Sequence, residues 1–112
     1  MITEVNCLSY AYHRLGLRKE EVFINALRED RWRHDFDDVG LDDAEAVGFI
    51  GLFYDEPALV HLAVFDEDDR DIVRQRPCRG GREEPRFLLS VESEHRDKEK
   101  IYLKVKPEAR SR

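Results

Sequence analysis

The chain has 112 residues with 25 acidic and 19 basic side chains, a net charge of −6, 41% hydrophobic residues and 39% charged ones. That length suits one domain with one core, and the acidic balance speaks against nucleic acid or anionic lipid as a partner. No apolar run reaches the roughly 20 residues of a membrane helix, and Met1-Ile-Thr-Glu4 lacks a basic segment leading into an apolar one, so a cytoplasmic protein with reduced thiols is expected.

In chain order, Leu8, Ala11, Tyr12 and Leu15 recur at helical spacing, with Asn6 placed to cap the start and Gly16 to end it. The spacing predicts a first helix carrying Cys7 at its N-terminus. A second helix is expected from Arg18 to about Trp32, where Val22, Phe23, Ala26 and Leu27 form an apolar side. The acidic stretch from His34 to Glu45 reads as a surface connection. Ala46 to Tyr54 and Ala58 to Phe65 are rich in β-branched and aromatic residues and predict two strands joined at Asp55-Glu-Pro57. The polar loop Asp66-Glu-Asp-Asp-Arg-Asp71 leads to a third strand, Ile72 to Arg76. Arg86 to Val91 and Lys100 to Val105 predict two more, and residues 108–112 a frayed tail. The expected fold class is therefore α+β, with N-terminal helices packed on a small antiparallel sheet of about five strands over residues 1–107.

A cysteine in the first turn of a helix meets backbone N–H groups that stabilise its thiolate, and a nucleophilic thiol needs a histidine as base. Cys7 meets the first condition. His61 is the expected partner, since packing alone would favour Val or Leu in the middle of so apolar a strand. The same residue types also suit a packed interior, because reduced cysteine is often buried and strand histidines are often hydrogen-bonded core. The aspartate-rich loop from 66 to 71 lacks the glycine and downstream glutamate of a helix-loop-helix calcium site, and Cys7, His61 and Cys78 lack the close spacing of a zinc site, so no metal is expected. Arg74, Arg76, Arg79, Arg82 and Arg86 crowd one segment. They suit either a carboxylate or phosphate of a substrate or partner, or a charged rim paired with Glu83 and Glu84.

The order of a helix-borne cysteine, a second helix, an acidic connection, the strands Ala46-Val-Gly-Phe-Ile-Gly-Leu-Phe-Tyr54 and Val60-His-Leu-Ala-Val-Phe65, then Ile72-Val-Arg-Gln-Arg76 resembles the NlpC-type branch of the papain-like cysteine hydrolases. The resemblance implies a papain-like core and a Cys7–His61 pair. The third polar residue falls on the strand from Ile72 to Arg76, with Gln75 chosen because its amide oxygen can accept the imidazole proton. Around the nucleophile, Asn6-Cys-Leu-Ser9 departs from the Asp-Cys-Ser-Gly pattern common in that branch. The expected activity is cleavage of an amide or ester in a peptide-like or small substrate, with Arg74 and Arg76 contacting it and no cofactor. The alternative is a non-catalytic binding or regulatory protein that holds a protein partner on the same scaffold.

Overall fold

A computed structural model describes residues 6–18, 32–53, 55–76 and 82–110. Its centre is a six-stranded antiparallel sheet in the order β1-β6-β2-β3-β4-β5, formed by Phe36–Asp38 (β1), Ala46–Phe53 (β2), Glu56–Phe65 (β3), Ile72–Gln75 (β4), Glu84–Phe87 (β5) and Glu99–Val105 (β6). Among the described residues four short α-helices accompany it: Cys7–Arg14 (α1), Trp32–Asp35 (α2), Leu88–Glu94 (α3) and Pro107–Arg110 (α4).

This layout corrects the expected α+β fold of N-terminal helices on a five-stranded papain-like core. The domain is mostly sheet, and the described helices are spread along the chain. Three local differences produce the change. In the acidic connection, Phe36 is the buried residue of β1, and pairing with β6 sets Asp37 opposite Lys104, so a short strand forms at the sheet edge. The segment Arg86 to Val91 does not continue as one strand. Leu88 and Val91, three residues apart, are buried together on one helical turn, while Leu89 stays 80% exposed; helical periodicity therefore outcompetes alternation there. At the C-terminal end, Ala109 packs into the core within α4 where fraying was expected. The second expected helix lies almost wholly outside the described residues, apart from Arg18 and Trp32.

Helix α1 starts where its sequence directs. The Asn6 side chain accepts from the Ser9 N–H at 2.8 Å and the Ser9 hydroxyl accepts from the Asn6 N–H at 2.7 Å, a reciprocal capping box. Gly16, at φ 80°, leaves the helix through the left-handed region that costs glycine least.

The apolar runs of β2 and β3 are nearly continuous because the sheet is buried on both faces. One face packs Leu59, Leu62, Val64 and Leu103 against Cys7, Leu8, Ala11, Tyr12 and Leu15 of α1 and Ala109 of α4. The other packs Val47, Phe49, Ala63, Phe65 and Val73 against Leu88 and Val91 of α3. Gly48 allows the first face to close. A Cβ built there would stand 2.8 Å from Leu59 Cδ1, 3.2 Å from Leu103 Cδ1 and 3.3 Å from Ile101 Cγ2. Gly48→Val is expected to overpack this face and cost about 1–3 kcal/mol; thermal unfolding beside Gly40→Val, whose site is open, would show whether the loss is specific to that contact.

Candidate functional site

The thiol and the imidazole are set by α1 and β3. Cys7 is the first residue of α1, is 2% exposed, and its Sγ donates to the carbonyl oxygen of Val60 at 3.6 Å. Val60 is the extra residue of a β-bulge, since Phe49 pairs with His61 while Ile50 pairs with Leu59. Such a bulge frees a peptide group from the regular ladder and redirects the neighbouring side chain. The thiol therefore meets β3 at the peptide immediately before His61.

His61 is 3% exposed and its Nε2 lies 2.7 Å from Gln75 Oε1. Gln75 is equally buried, and its amide nitrogen donates to Glu84 Oε1 at 3.1 Å. That second bond decides the chemistry of the first. An amide whose nitrogen is committed to Glu84 offers its oxygen to the ring, so the proton sits on Nε2 and Nδ1 becomes the basic nitrogen of neutral His61. The ring itself is stacked on His95 at 4.6 Å between centroids and 12° between planes, and His95 is stacked in turn on Phe49 at 4.7 Å. His95 follows α3 as its C-terminal cap, and its Nδ1 lies 3.0 Å from the Val91 carbonyl oxygen, so that nitrogen donates.

Of the residues singled out by sequence, the structure thus joins His61 directly to Gln75 and brings Cys7 to the peptide next to His61. In the core, Cys7 belongs to the α1 side, whereas the His61 ring lies with Phe49 and His95 on the α3 side. Arg74 and Arg76 part company. Arg74 Nε donates to Asp66 at 2.9 Å and its Nη1 to Glu83 at 3.4 Å, so its charge is engaged by the protein's own carboxylates. Arg76 places its guanidinium 5.7 Å from the centroid of Tyr10. Cys78 and Arg79 lie outside the described residues; Cys7 is a free thiol. His95, Glu84 and Tyr10 carried no signal in the sequence. His95 and Glu84 sit in charged stretches that read as loop or rim, and Tyr10 lies outside the apolar spacing of Leu8, Ala11, Tyr12 and Leu15.

The aspartate-rich loop is a turn built on its own side chains. Asp66 accepts from the N–H groups of Asp68 and Asp69 as well as from Arg74, and among the described residues no group of three or more Asp, Glu, His or Cys side chains is placed to hold a metal ion. The Arg74 hydrogen bond holds the Asp66 carboxyl below its ordinary range. A depressed carboxylate contributes stability above the unfolded-state value near 4 and loses it as pH falls through the lower folded value. Asp66→Asn is accordingly expected to melt lower than the parent at pH 7, with the gap closing as pH falls below the ordinary carboxylate range, which melting curves over an acid pH series would check.

Tyr10 carries a buried hydroxyl beside the Glu83 carboxylate. Burial pushes its pKa well above that of an ordinary tyrosine, and hydrogen bonding to the Glu83 carboxylate adds to the shift, so the group stays protonated.

Comparison with protein-family models, with curated proteins and with solved structures gave no match to this chain. Among the described residues no helix is long and apolar enough to cross a membrane.

Proposed function

We propose that the protein is a cysteine hydrolase that cleaves an amide or ester bond, with Cys7 as nucleophile, His61 as base and Gln75 as the group that orients the ring. The observation that carries this reading is the 2.7 Å bond from His61 Nε2 to Gln75 Oε1, a polar pair held inside an apolar sheet as an orienting residue holds a catalytic imidazole. The order of these three residues along the chain, which resembles the NlpC-type hydrolases, points the same way. The reaction requires the Cys7 side chain and the His61 ring, which lie on opposite faces of the sheet, to be brought to one face; the thiol proton then moves to the imidazole and the thiolate adds to the substrate carbonyl. The imidazolium then returns the proton to the leaving amine or alcohol, and water releases the acyl group from Sγ. Backbone N–H groups in the first turn of α1 supply donors for the developing oxyanion. No cofactor enters this sequence, and the cytosol, which keeps the thiol reduced, is the setting it suits.

Alkylation of Cys7 against pH, in a Cys78→Ser background, tests the assignment. Half-maximal reactivity is expected well below pH 8.5, the value for an ordinary thiol. Labelling that appears only on unfolding would favour the second reading, a non-catalytic binding protein. The observation favouring that reading is the placement of Cys7 and the His61 ring on opposite faces of the sheet, both almost wholly buried and the ring stacked on His95.

A further inference from the structure

Glu84 lies on the edge strand of the sheet, two strands away from His61, yet the contacts of the imidazole run through it. The β4–β5 register sets Gln75 opposite Glu84. Gln75 Nε2 donates to Glu84 Oε1 at 3.1 Å, and Arg86 Nη1 stands 3.5 Å from the same oxygen. Arg86 is bonded in turn to Glu94, the last residue of α3, and the next residue is His95, whose ring lies on His61. The contacts therefore close a circuit from β3 through β4, β5 and α3 back to the imidazole. Between Glu84 and the ring, only Glu84 has no choice of role. An ionised carboxylate accepts and never donates, whereas an amide can present either end and a neutral imidazole can carry its proton on either nitrogen. The acceptor-only group sets the direction of both bonds that follow it.

We propose that Glu84 is a positioning residue that selects the tautomer of His61, acting through Gln75 without touching the ring. With a carboxylate at position 84, Gln75 turns its oxygen to the ring, and neutral His61 carries its proton on Nε2 and presents Nδ1 as an acceptor. With a donor at position 84 the amide would turn over, its nitrogen would donate to Nε2, and the proton would sit on Nδ1. The ring would then offer a donor where it now offers an acceptor. The assignment goes beyond the hydrolase reading, because it fixes what the imidazole can do whether or not a thiol is its partner. The Glu84 side chain is 40% exposed, so replacing it does not bury a charge.

The test is the nitrogen-15 spectrum of the histidine rings at pH 8, above the ordinary imidazole range, where pyrrole-type and pyridine-type nitrogens are told apart through their couplings to the ring protons. His61→Ala identifies the His61 signals among those of the four histidines. In the parent chain His61 is expected to show a pyrrole-type Nε2 and a pyridine-type Nδ1. Glu84→Lys should exchange the two types. Glu84→Gln, whose amide can meet Gln75 either way round, should move both nitrogens toward intermediate values. Glu84→Asp keeps the acceptor and should retain the parent pattern. So should Glu83→Gln, since the Glu83 carboxylate faces Arg74 and Tyr10. In a Gln75→Leu background, Glu84→Lys should leave the ring nitrogens where they were. Should Glu84→Lys fail to fold, the isosteric Glu84→Gln decides alone. A pyridine-type Nε2 in the parent, a pattern unmoved by the Lys and Gln substitutions in folded chains, or an exchange that persists without Gln75 would overturn the proposal. Exchange of the nitrogens in a protein without hydrolytic turnover would support the role of Glu84 and remove only the hydrolase reading. Turnover with unmoved nitrogens would do the reverse.

Discussion

His61→Ala is expected to lower both ester or amide turnover and the alkylation rate of Cys7 near neutral pH by about 10²–10⁴-fold, the usual contribution of a positioned base. The two losses should run together because they have one cause. In neutral His61 the basic nitrogen is Nδ1, since Gln75 fixes the proton on Nε2, and without that acceptor the thiol proton remains in its bond to the Val60 carbonyl. Stability will fall on either reading of the site. The substitution empties a ring from a stack with His95 and leaves Gln75 Oε1 without its partner, so about 1–3 kcal/mol should be lost whether or not the ring is a base. Labelling of the native state is therefore the measurement that decides. If alkylation of Cys7 in the Cys78→Ser background is the same with and without His61 while the melting temperature drops, the imidazole is core and the binding-protein reading stands in front.

Gln75→Ala separates orientation from proton transfer. Removing the amide frees the ring to exchange its proton between the two nitrogens, so activity should fall by less than it does in His61→Ala, and the alkylation profile should shift toward that of an ordinary thiol.

Two members of the candidate site stand out in the sequence because they break the local pattern: His61 interrupts an apolar strand, and Cys7 follows a capping asparagine. Gln75 is reached only through the resemblance, which asks for a polar residue on the strand from Ile72 to Arg76. The bulge at Val60 was not legible, since nothing in Ala58-Leu-Val-His-Leu marks which residue is extra; register is set by pairing with β2 across the sheet. The same holds for β1, where one buried phenylalanine among aspartates becomes a strand only because β6 supplies an edge to pair with. Leu88 and Val91 fit both a helical turn and an extended segment over so short a length, and the choice is made by the α3-side core that both residues enter. The sheet order was hidden for a related reason. The strand from Glu99 to Val105 returns past the whole β2–β5 meander to insert between β1 and β2, a long-range pairing that local sequence does not encode.

The strongest stability effect is expected at Phe49. Its ring is 1% exposed, stacks on His95 and lies 6.0 Å from His61, so it joins the α3-side core to the imidazole pair. Phe49→Ala removes most of that ring from a place the surrounding sheet cannot collapse into, at a cost of about 3–5 kcal/mol. For a chain of this size that corresponds to roughly 12–20 °C in melting temperature, a large share of the total stability of an ordinary domain. Leu52→Ala, three residues along the same strand but 74% exposed, should change stability by no more than about 0.5 kcal/mol. The pair controls for strand propensity, since both substitutions place alanine in β2. Phe49→Leu supplies the functional half of the test. It keeps most of the buried volume, so a folded protein should survive with a smaller loss, but the flat face against His95 is gone and the stack that holds the His61 ring is loosened. A base held only by Gln75 should then act more slowly, and Cys7 alkylation at pH 7 should drop several-fold while the midpoint of unfolding falls only modestly. A Phe49→Ala protein that melts within about 3 °C of the parent would show that this residue does not sit in the core between the two histidines.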